Sequence, residues 1–477
     1  MSSISGRAIS RRGFLAGSAA LAAAVPIQRS AQAATQAAKH FALTAKQGRW
    51  PLVGKDEAET EVWCYDNRIP GPELRVRQGE LVRIVVENRL DEDTTVHWHG
   101  IRLPNAMDGV PGLTQPPIRP GEKFVYEFIP PDAGTFWYHP HADSLRQLGR
   151  GLAGALIVEK PEAVPVDRDV LWMLADWRLR PDAQIAGGFG NAMEAAMAGR
   201  VGNTVTLNGA LSNEVAVRAG ERIRLRLVNG ALARIMALRF EGHKPVVIAT
   251  DGQPCEPHEP EGGRILLGPA MRVDLVIDMQ GEPGRTYRVV DDFYDGLAYR
   301  LTRLAYDSRP PLRKHPSDAP ISLPRNPVPE PKLDVAEHHV LTLQGGMMGG
   351  NGMMGMGMMG MGMSHGATWA INGMSMTGDG QTDMPPLLTL QRGRSYLLTI
   401  RNDTAWWHPM HLHGHSFRVL RRNGNAVPHH RWADTVLVSP REAVDIAFVA
   451  DNPGNWMFHC HVTDHQVSGL MTVFRVM

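Results

Sequence analysis

The sequence predicts an all-β chain of three consecutive Greek-key β-sandwich units, and three observations carry that prediction. One segment form occurs three times along the chain, 35 prolines and 49 glycines punctuate short alternating or β-branched runs, and no long stretch has helical periodicity. At 477 residues the chain also exceeds what one hydrophobic core supports, which asks for two or three domains of roughly 100–200 residues each.

In chain order, residues 1–33 come first. Ser10-Arg11-Arg12-Gly13-Phe14-Leu15 precedes an apolar Ala-rich run to Val25 and the small-residue pattern Ala31-Gln32-Ala33. This order of regions predicts a twin-arginine export signal cleaved after Ala33, and hence a periplasmic mature protein. No later stretch supplies the ~20 apolar residues that span a bilayer, so no membrane insertion is expected after export. Lys+Arg 50 against Asp+Glu 49 gives no electrostatic case for a nucleic-acid partner or an acidic membrane surface.

The repeated segment is RQGELVRIVVEN at 77–88, RAGERIRLRLVN at 218–229 and RGRSYLLTIRN at 392–402. Each has a turn glycine (Gly79, Gly220, Gly393), a strand-like run, and an asparagine nine positions after that glycine (Asn88, Asn229, Asn402). Unit one is expected over 40–160, unit two over 161–307 and unit three over 335–477, with a proline-rich linker at 308–334. Further short strands are expected at 123–129, 136–139, 265–267, 273–277, 287–289, 417–420 and 456–459, and the whole pattern suggests antiparallel sandwiches.

Chemistry sits in the outer units. Nine residues beyond the repeat asparagine, unit one has His97-Trp98-His99 and unit three His411-Leu412-His413, where unit two has Leu238-Arg239-Phe240. Five residues after a turn glycine come His139-Pro140-His141 and His459-Cys460-His461, and in unit two Val289. In a strand, residues i and i+2 share a face, so each His-x-His pair projects two imidazoles side by side. Alternation sends Cys460 to the opposite face from His459 and His461. Joined by His408 and His465, its thiolate has the two-histidine, one-cysteine composition of a blue-copper centre. With those two, the pairs use ten of the chain's 20 histidines. His415, His429 and His430 fit no repeat position and are expected to face solvent or pack in the core. Cys64 and Cys255 remain either a disulfide or two small buried residues.

His-Trp-His-Gly at 97–100, Phe-Trp-Tyr-His-Pro-His at 136–141, His-Pro-Met-His-Leu-His-Gly at 408–414 and His-Cys-His-x-x-x-His at 459–465 resemble the motifs of three-domain multicopper oxidases, the group that includes laccases and bacterial periplasmic cuprous oxidases. The resemblance implies three cupredoxin-like domains and four coppers. It places a type 1 copper on His408, Cys460 and His465, a type 2 copper on His97 and His411, and a type 3 pair on His99, His139, His141, His413, His459 and His461. It also implies that O2 is reduced to water by four single-electron deliveries entering near His465 and passing through Cys460. Leu470 stands where many bacterial members of the group carry an axial methionine. Leucine cannot coordinate, which predicts a raised type 1 potential. Met471 beside it should face the other way. Where related cuprous oxidases carry an acid after the last type 1 histidine, this chain has Gln466, which cannot titrate. Asp108 then becomes the leading proton donor, against the plainer reading of 108–109 as an Asp-Gly turn.

Residues 345–366, GGMMGGNGMMGMGMMGMGMSHG, hold Met347, Met348, Met353, Met354, Met356, Met358, Met359, Met361 and Met363. Their glycines oppose a stable helix, and thioethers are soft donors that select Cu(I). Met374, Met376 and Met384 could extend such a surface, while Trp406 and Trp407 could shape an organic-substrate pocket or simply pack. The chain is therefore expected to be a multicopper oxidase, a monomer acting on Cu(I) in copper tolerance. A laccase-like oxidase of phenols or aromatic amines is the alternative enzyme, and a periplasmic copper-storage protein the alternative of another class.

Overall fold

The computed structural model describes residues 38–162, 164–319, 321–348, 368–379 and 385–477. The export signal and Met353 through Met363 lie outside the described residues, as does Met384.

The three repeat segments form the strands Val82–Asn88, Arg222–Asn229 and Ser395–Asn402. Each pairs in parallel with the first strand of its unit (Lys39–Trp50, Arg168–Trp177 and Glu337–Gly345) and antiparallel with a later one (Lys123–Phe128, Arg272–Asp278 and Ala443–Val449). The opposing sheets repeat the device, with parallel pairs Leu74–Arg77 with Gly154–Glu159, Val215–Val217 with Tyr299–Tyr306, and Leu388–Leu390 with Met471–Val476. The sandwiches are thus mixed rather than antiparallel. Alternation in sequence reports which face a residue takes and is silent about the direction of its neighbour. Among the described residues between Tyr306 and Glu337 no strand forms, and a single 3-10 turn occurs at Leu333–Val335.

The reason for the repeat asparagine is visible in its hydrogen bonds. Asn88 Nδ2 donates to the carbonyls of Glu92 and Ile118, both at 2.8 Å, and its Oδ1 accepts from the Leu90 amide. Asn229 bonds the Arg234 and Leu267 carbonyls and the Ala231 amide in the same way. Asn402 does so with the Trp406 and Ser439 carbonyls and the Thr404 amide. All three side chains are fully buried. Each pins the loop that carries the chain to the next strand (His97–His99, Met236–Phe240 or His408–Leu412). An amide side chain has both donors and an acceptor for this task, which a carboxylate lacks.

Burial distinguishes the copies. Val82–Asn88 alternates between buried and half-buried positions, whereas every residue of Arg222–Asn229 is buried. The second face of that strand carries Arg222, Arg224 and Arg226, bonded to Asp278, Asp274 and Asp169. Arg226 and Asp274 also bond the Thr135 hydroxyl of unit one. One large apolar cluster runs through units one and three together, including Trp98, Tyr138, Trp456 and Phe458, and a second fills unit two. Cys64 and Cys255 are both buried free thiols, which settles the open pairing against a disulfide. His415 is core-packed, donating from Nδ1 to the His413 carbonyl and lying against Phe448 and Trp456.

Candidate metal centre

Strand register brings the histidines together. His97 stands opposite His139 and His411 opposite His459, each across an antiparallel pair. In unit two the residue opposite Leu238 is Asp291, two positions beyond Val289. Counting five from Gly284 therefore misses the structural equivalent, which lies seven residues beyond that glycine. Asp291 accepts from the Ala237 and Phe293 amides and the Tyr299 hydroxyl, a structural role.

Eight imidazoles from units one and three enclose a single chamber. The rings of His97 and His413 stack at 3.9 Å between centroids, those of His99 and His411 at 3.7 Å. His413 Nε2 lies 3.0 Å from His459 Nε2, and His139 Nε2 lies 3.4 Å from His461 Nε2. Ligand-sized groups form at His97, His99 and His139, at His97, His411 and His413, and at His141, His413 and His459. All eight rings are buried.

Most rings are tied by one nitrogen so that the other faces the chamber. His97 Nδ1 donates to the Asp108 carbonyl at 2.7 Å, and His413 Nδ1 to the Asp108 carboxylate at 2.9 Å. His411 Nδ1 donates to the Asp434 carbonyl at 2.8 Å, and His99 Nε2 to the Asp434 carboxylate at 3.1 Å. His139 Nδ1 and His459 Nδ1 donate to the Pro140 and Cys460 carbonyls. His97 Nε2, His99 Nδ1, His411 Nε2 and both nitrogens of His141 have no protein partner although buried. Oriented imidazoles with unpartnered inward nitrogens are what a metal requires, and tethers of this kind fix the tautomer. Burial, reinforced by the neighbouring rings, holds His99, His139, His141, His413 and His461 well below the ordinary imidazole range and His459 down to about 3, so their lone pairs are free.

A second, three-membered group lies on the other face of the strand Gly454–Cys460. Cys460 Sγ is 3.6 Å from His408 Nδ1 and 3.7 Å from His465 Nδ1, and those nitrogens are 3.2 Å apart. The outer nitrogens are tied down: His408 Nε2 donates to the Thr404 hydroxyl at 2.9 Å, and His465 Nε2 to the Met197 carbonyl at 2.7 Å. Thr404 Oγ1 donates in turn to Asn402, the repeat asparagine. Burial pushes the Cys460 thiol far up, so a thiolate there depends on a cation. The set fits copper: one soft sulfur and two imidazoles in one group, imidazoles alone in the other.

Leu470 is fully buried in the apolar cluster that contains Cys460, whereas Met471 belongs to a separate cluster with Val110, Met376 and Met457. Met376 therefore packs inside and does not extend a methionine surface. Gln466 is buried and its amide is 3.4 Å from Ser144 Oγ. Met347 and Met348 are exposed, the former donating its amide to the Ala196 carbonyl at 2.7 Å and accepting the Trp406 indole N–H at 2.8 Å. Trp407 packs edge-on against Phe293. Sequence reasoning missed Asp434, Thr435, Thr404, Arg272 and Met197. The first three are ordinary polar residues in or beside the connections between strands, and only their placement beside the rings distinguishes them.

Two buried histidine groups, one with a thiol, on a three-sandwich frame define a copper-dependent oxidoreductase. Family models described as multicopper oxidase match residues 47–163, 168–303 and 357–477. A multicopper oxidase of Mycobacterium tuberculosis is 30% identical, with 98% of this chain and 96% of that protein covered. Copper resistance protein A of Escherichia coli is 26% identical over 93% of this chain and 93% of its own. The crystal structure of a multi-copper oxidase from Pseudomonas thermotolerans superposes with a TM-score of 0.82 at 36% identity, covering 92% of this chain and 99% of the other. The chain belongs to the multicopper oxidase family and its cofactor is copper.

Proposed function

We propose that this oxidase is a cuprous oxidase of the periplasm, exported by its twin-arginine signal as a monomer and serving copper tolerance. The observation that carries the choice of substrate is the anchorage of the methionine tract. Met347, where the tract begins, is bonded to Ala196, next to Met197, whose carbonyl holds His465. The tract thus leaves the described structure beside the electron-entry group. Thioethers there would collect Cu(I), which is the substrate and leaves as Cu(II) after giving up one electron.

His408, Cys460 and His465 would hold a type 1 copper, His97 and His411 a type 2 copper, and His99, His139, His141, His413, His459 and His461 a type 3 pair. Bound copper supplies the one-electron chemistry by which four substrate electrons reduce O2 to two waters. The protein's part is to hold the ligands in place and to keep the chamber dry. Asp108 touches rings from both outer units, His97 through its backbone carbonyl and His413 through its carboxylate, and in this reading its carboxyl supplies protons to the chamber. Gln466 cannot titrate and takes no part in that proton delivery.

Removing residues 349–363 while keeping the bonded Met347 tests the reading. Cu(I) oxidation should fall sharply, with turnover of bulky phenols unchanged or improved. Equal kcat/KM for Cu(I) in the shortened and full-length proteins would end it. Leu470 beside Cys460 favours a second reading, oxidation of phenols, because a noncoordinating axial residue raises the driving force. A higher kcat/KM for a phenol than for Cu(I) in the full-length enzyme would select it.

A further inference from the structure

Unit two contributes none of the clustered ligands among the described residues, yet it delivers a charge to the chamber wall. Arg272, at the start of strand Arg272–Asp278, is completely buried. Its Nη1 donates to Asp434 Oδ1 at 2.8 Å and its Nη2 to Asp434 Oδ2, a two-pronged pair across the boundary between units two and three. The same guanidinium donates to the carbonyls of Thr135 and Ala270, both at 3.2 Å. Asp251, also of unit two, clamps the segment from behind. Its Oδ2 accepts from the Asp434 and Thr435 amides at 3.2 and 3.1 Å, and its Oδ1 from the Arg272 amide at 2.8 Å.

The held carboxylate is the one that receives His99 Nε2–H, and the held backbone carbonyl is the one that receives His411 Nδ1–H. Thr435 Oγ1 donates to Asp434 Oδ1 at 2.8 Å and lies 3.2 Å from both His99 Nε2 and His411 Nδ1. Two rings that stack on each other, one from each outer unit, therefore take their orientation from one residue. Gly100, at φ +85°, completes the arrangement, because a Cβ there would collide with Arg272 Nη2 and Asp434 Oδ2. Stability does not explain such a network, since buried ion pairs are commonly matched or bettered by apolar groups of similar volume. A planar fork instead fixes a carboxylate in direction, which a point charge cannot do.

We propose that Arg272 is a positioning residue for the histidine chamber: by fixing Asp434 it keeps the proton of His99 on Nε2 and leaves Nδ1 to the metal, while holding His411 with Nε2 inward. The proposal rests on the reading of that chamber as the three-copper site. The type 1 group shares no hydrogen bond with this network, so it serves as an internal control.

The test uses the full copper-loaded enzyme with Arg272→Lys, which keeps the charge and loses the fork, and Asp434→Asn, which keeps the shape and loses the charge. Loss of an outer partner of a ligating histidine typically costs about 10–100-fold in metal affinity. Both variants should retain the blue absorption while losing chamber copper to a chelator about 10–100-fold more readily. The type 2 electron paramagnetic resonance signal of the copper that remains should be shifted. Wild-type copper retention and an unshifted signal in either variant would overturn the proposal. So would loss of blue and chamber copper together in both variants with a matching fall in thermal midpoint, the mark of a merely structural pair. If Arg272→Lys does not fold, Asp434→Asn decides alone by the same readings. A wild-type enzyme that never holds copper in the chamber would instead refute the proposed function.

Discussion

Replacing the repeat asparagines by alanine one at a time asks the same question of three sites that differ only in what lies downstream. Asn229→Ala removes three buried hydrogen bonds, to Ala231, Arg234 and Leu267. At about 1 kcal/mol net for each, the floor is about 3 kcal/mol, and partners left dry raise it. For a unit of this size about 2–4 °C accompanies each kcal/mol, so the midpoint of heat-induced loss of circular dichroism should fall by roughly 6–12 °C. Asn402→Ala removes the equivalent bonds and also the acceptor that aligns the Thr404 hydroxyl toward His408. Its thermal cost should be similar, but it alone should weaken and shift the blue absorption, because His408 loses its outer anchor. Visible spectra and melting curves of the two variants, each loaded with copper under the same conditions, decide the matter. An unaltered blue band in Asn402→Ala, or an equal disturbance in Asn229→Ala, would refute the claim that this asparagine aims the ligand loop.

Other outcomes follow from single residues. Asp108→Asn retains an oxygen for His413 and leaves the backbone tether of His97, so copper content should hold while O2 consumption falls by about 100-fold or more, the usual weight of a general acid. Asp108→Ala should lose copper as well. Leu470→Met places a thioether in the apolar cluster around Cys460 and should lower the type 1 potential by at least about 60 mV, a decade for one electron, as read by redox titration. Burial raises the Asp379 carboxyl to about 6, above its unfolded value, so its contribution to stability is complete below pH 4 and is lost as pH rises through 6. Asp379→Asn should therefore raise the thermal midpoint at pH 7.5 and leave it unchanged at pH 4.

Much of this was legible because period-two alternation and histidine spacing are local properties. The pairs at 97–99, 139–141, 411–413 and 459–461 could be read as neighbours on one face from strand geometry alone, and the repeat placed them in the outer units. Strand direction was not legible, since Val82–Asn88 alternates in the same way whether its neighbour runs parallel or antiparallel. Nor was the full burial of Arg222–Asn229, whose arginines look solvent-facing until Asp169, Asp274 and Thr135 from other strands are seen to meet them. Asp434 and Arg272 are separated by 162 residues, and nothing in either local sequence announces their pairing. The count to Val289 failed because the paired residue lies seven positions after the turn glycine in unit two and five in unit one, a difference that only the strand pairing reveals.

The middle sandwich is a disarmed copy rather than a different object. Its asparagine likewise grips one amide and two carbonyls of the backbone, and residue 238 faces residue 291 just as His97 faces His139. Imidazoles grafted at 238 and 291 would inherit a ready-made aim without any new backbone. The position is already filled, since Asp291 holds the Ala237 and Phe293 amides and the Tyr299 hydroxyl, so a second metal site there would first have to replace those three bonds.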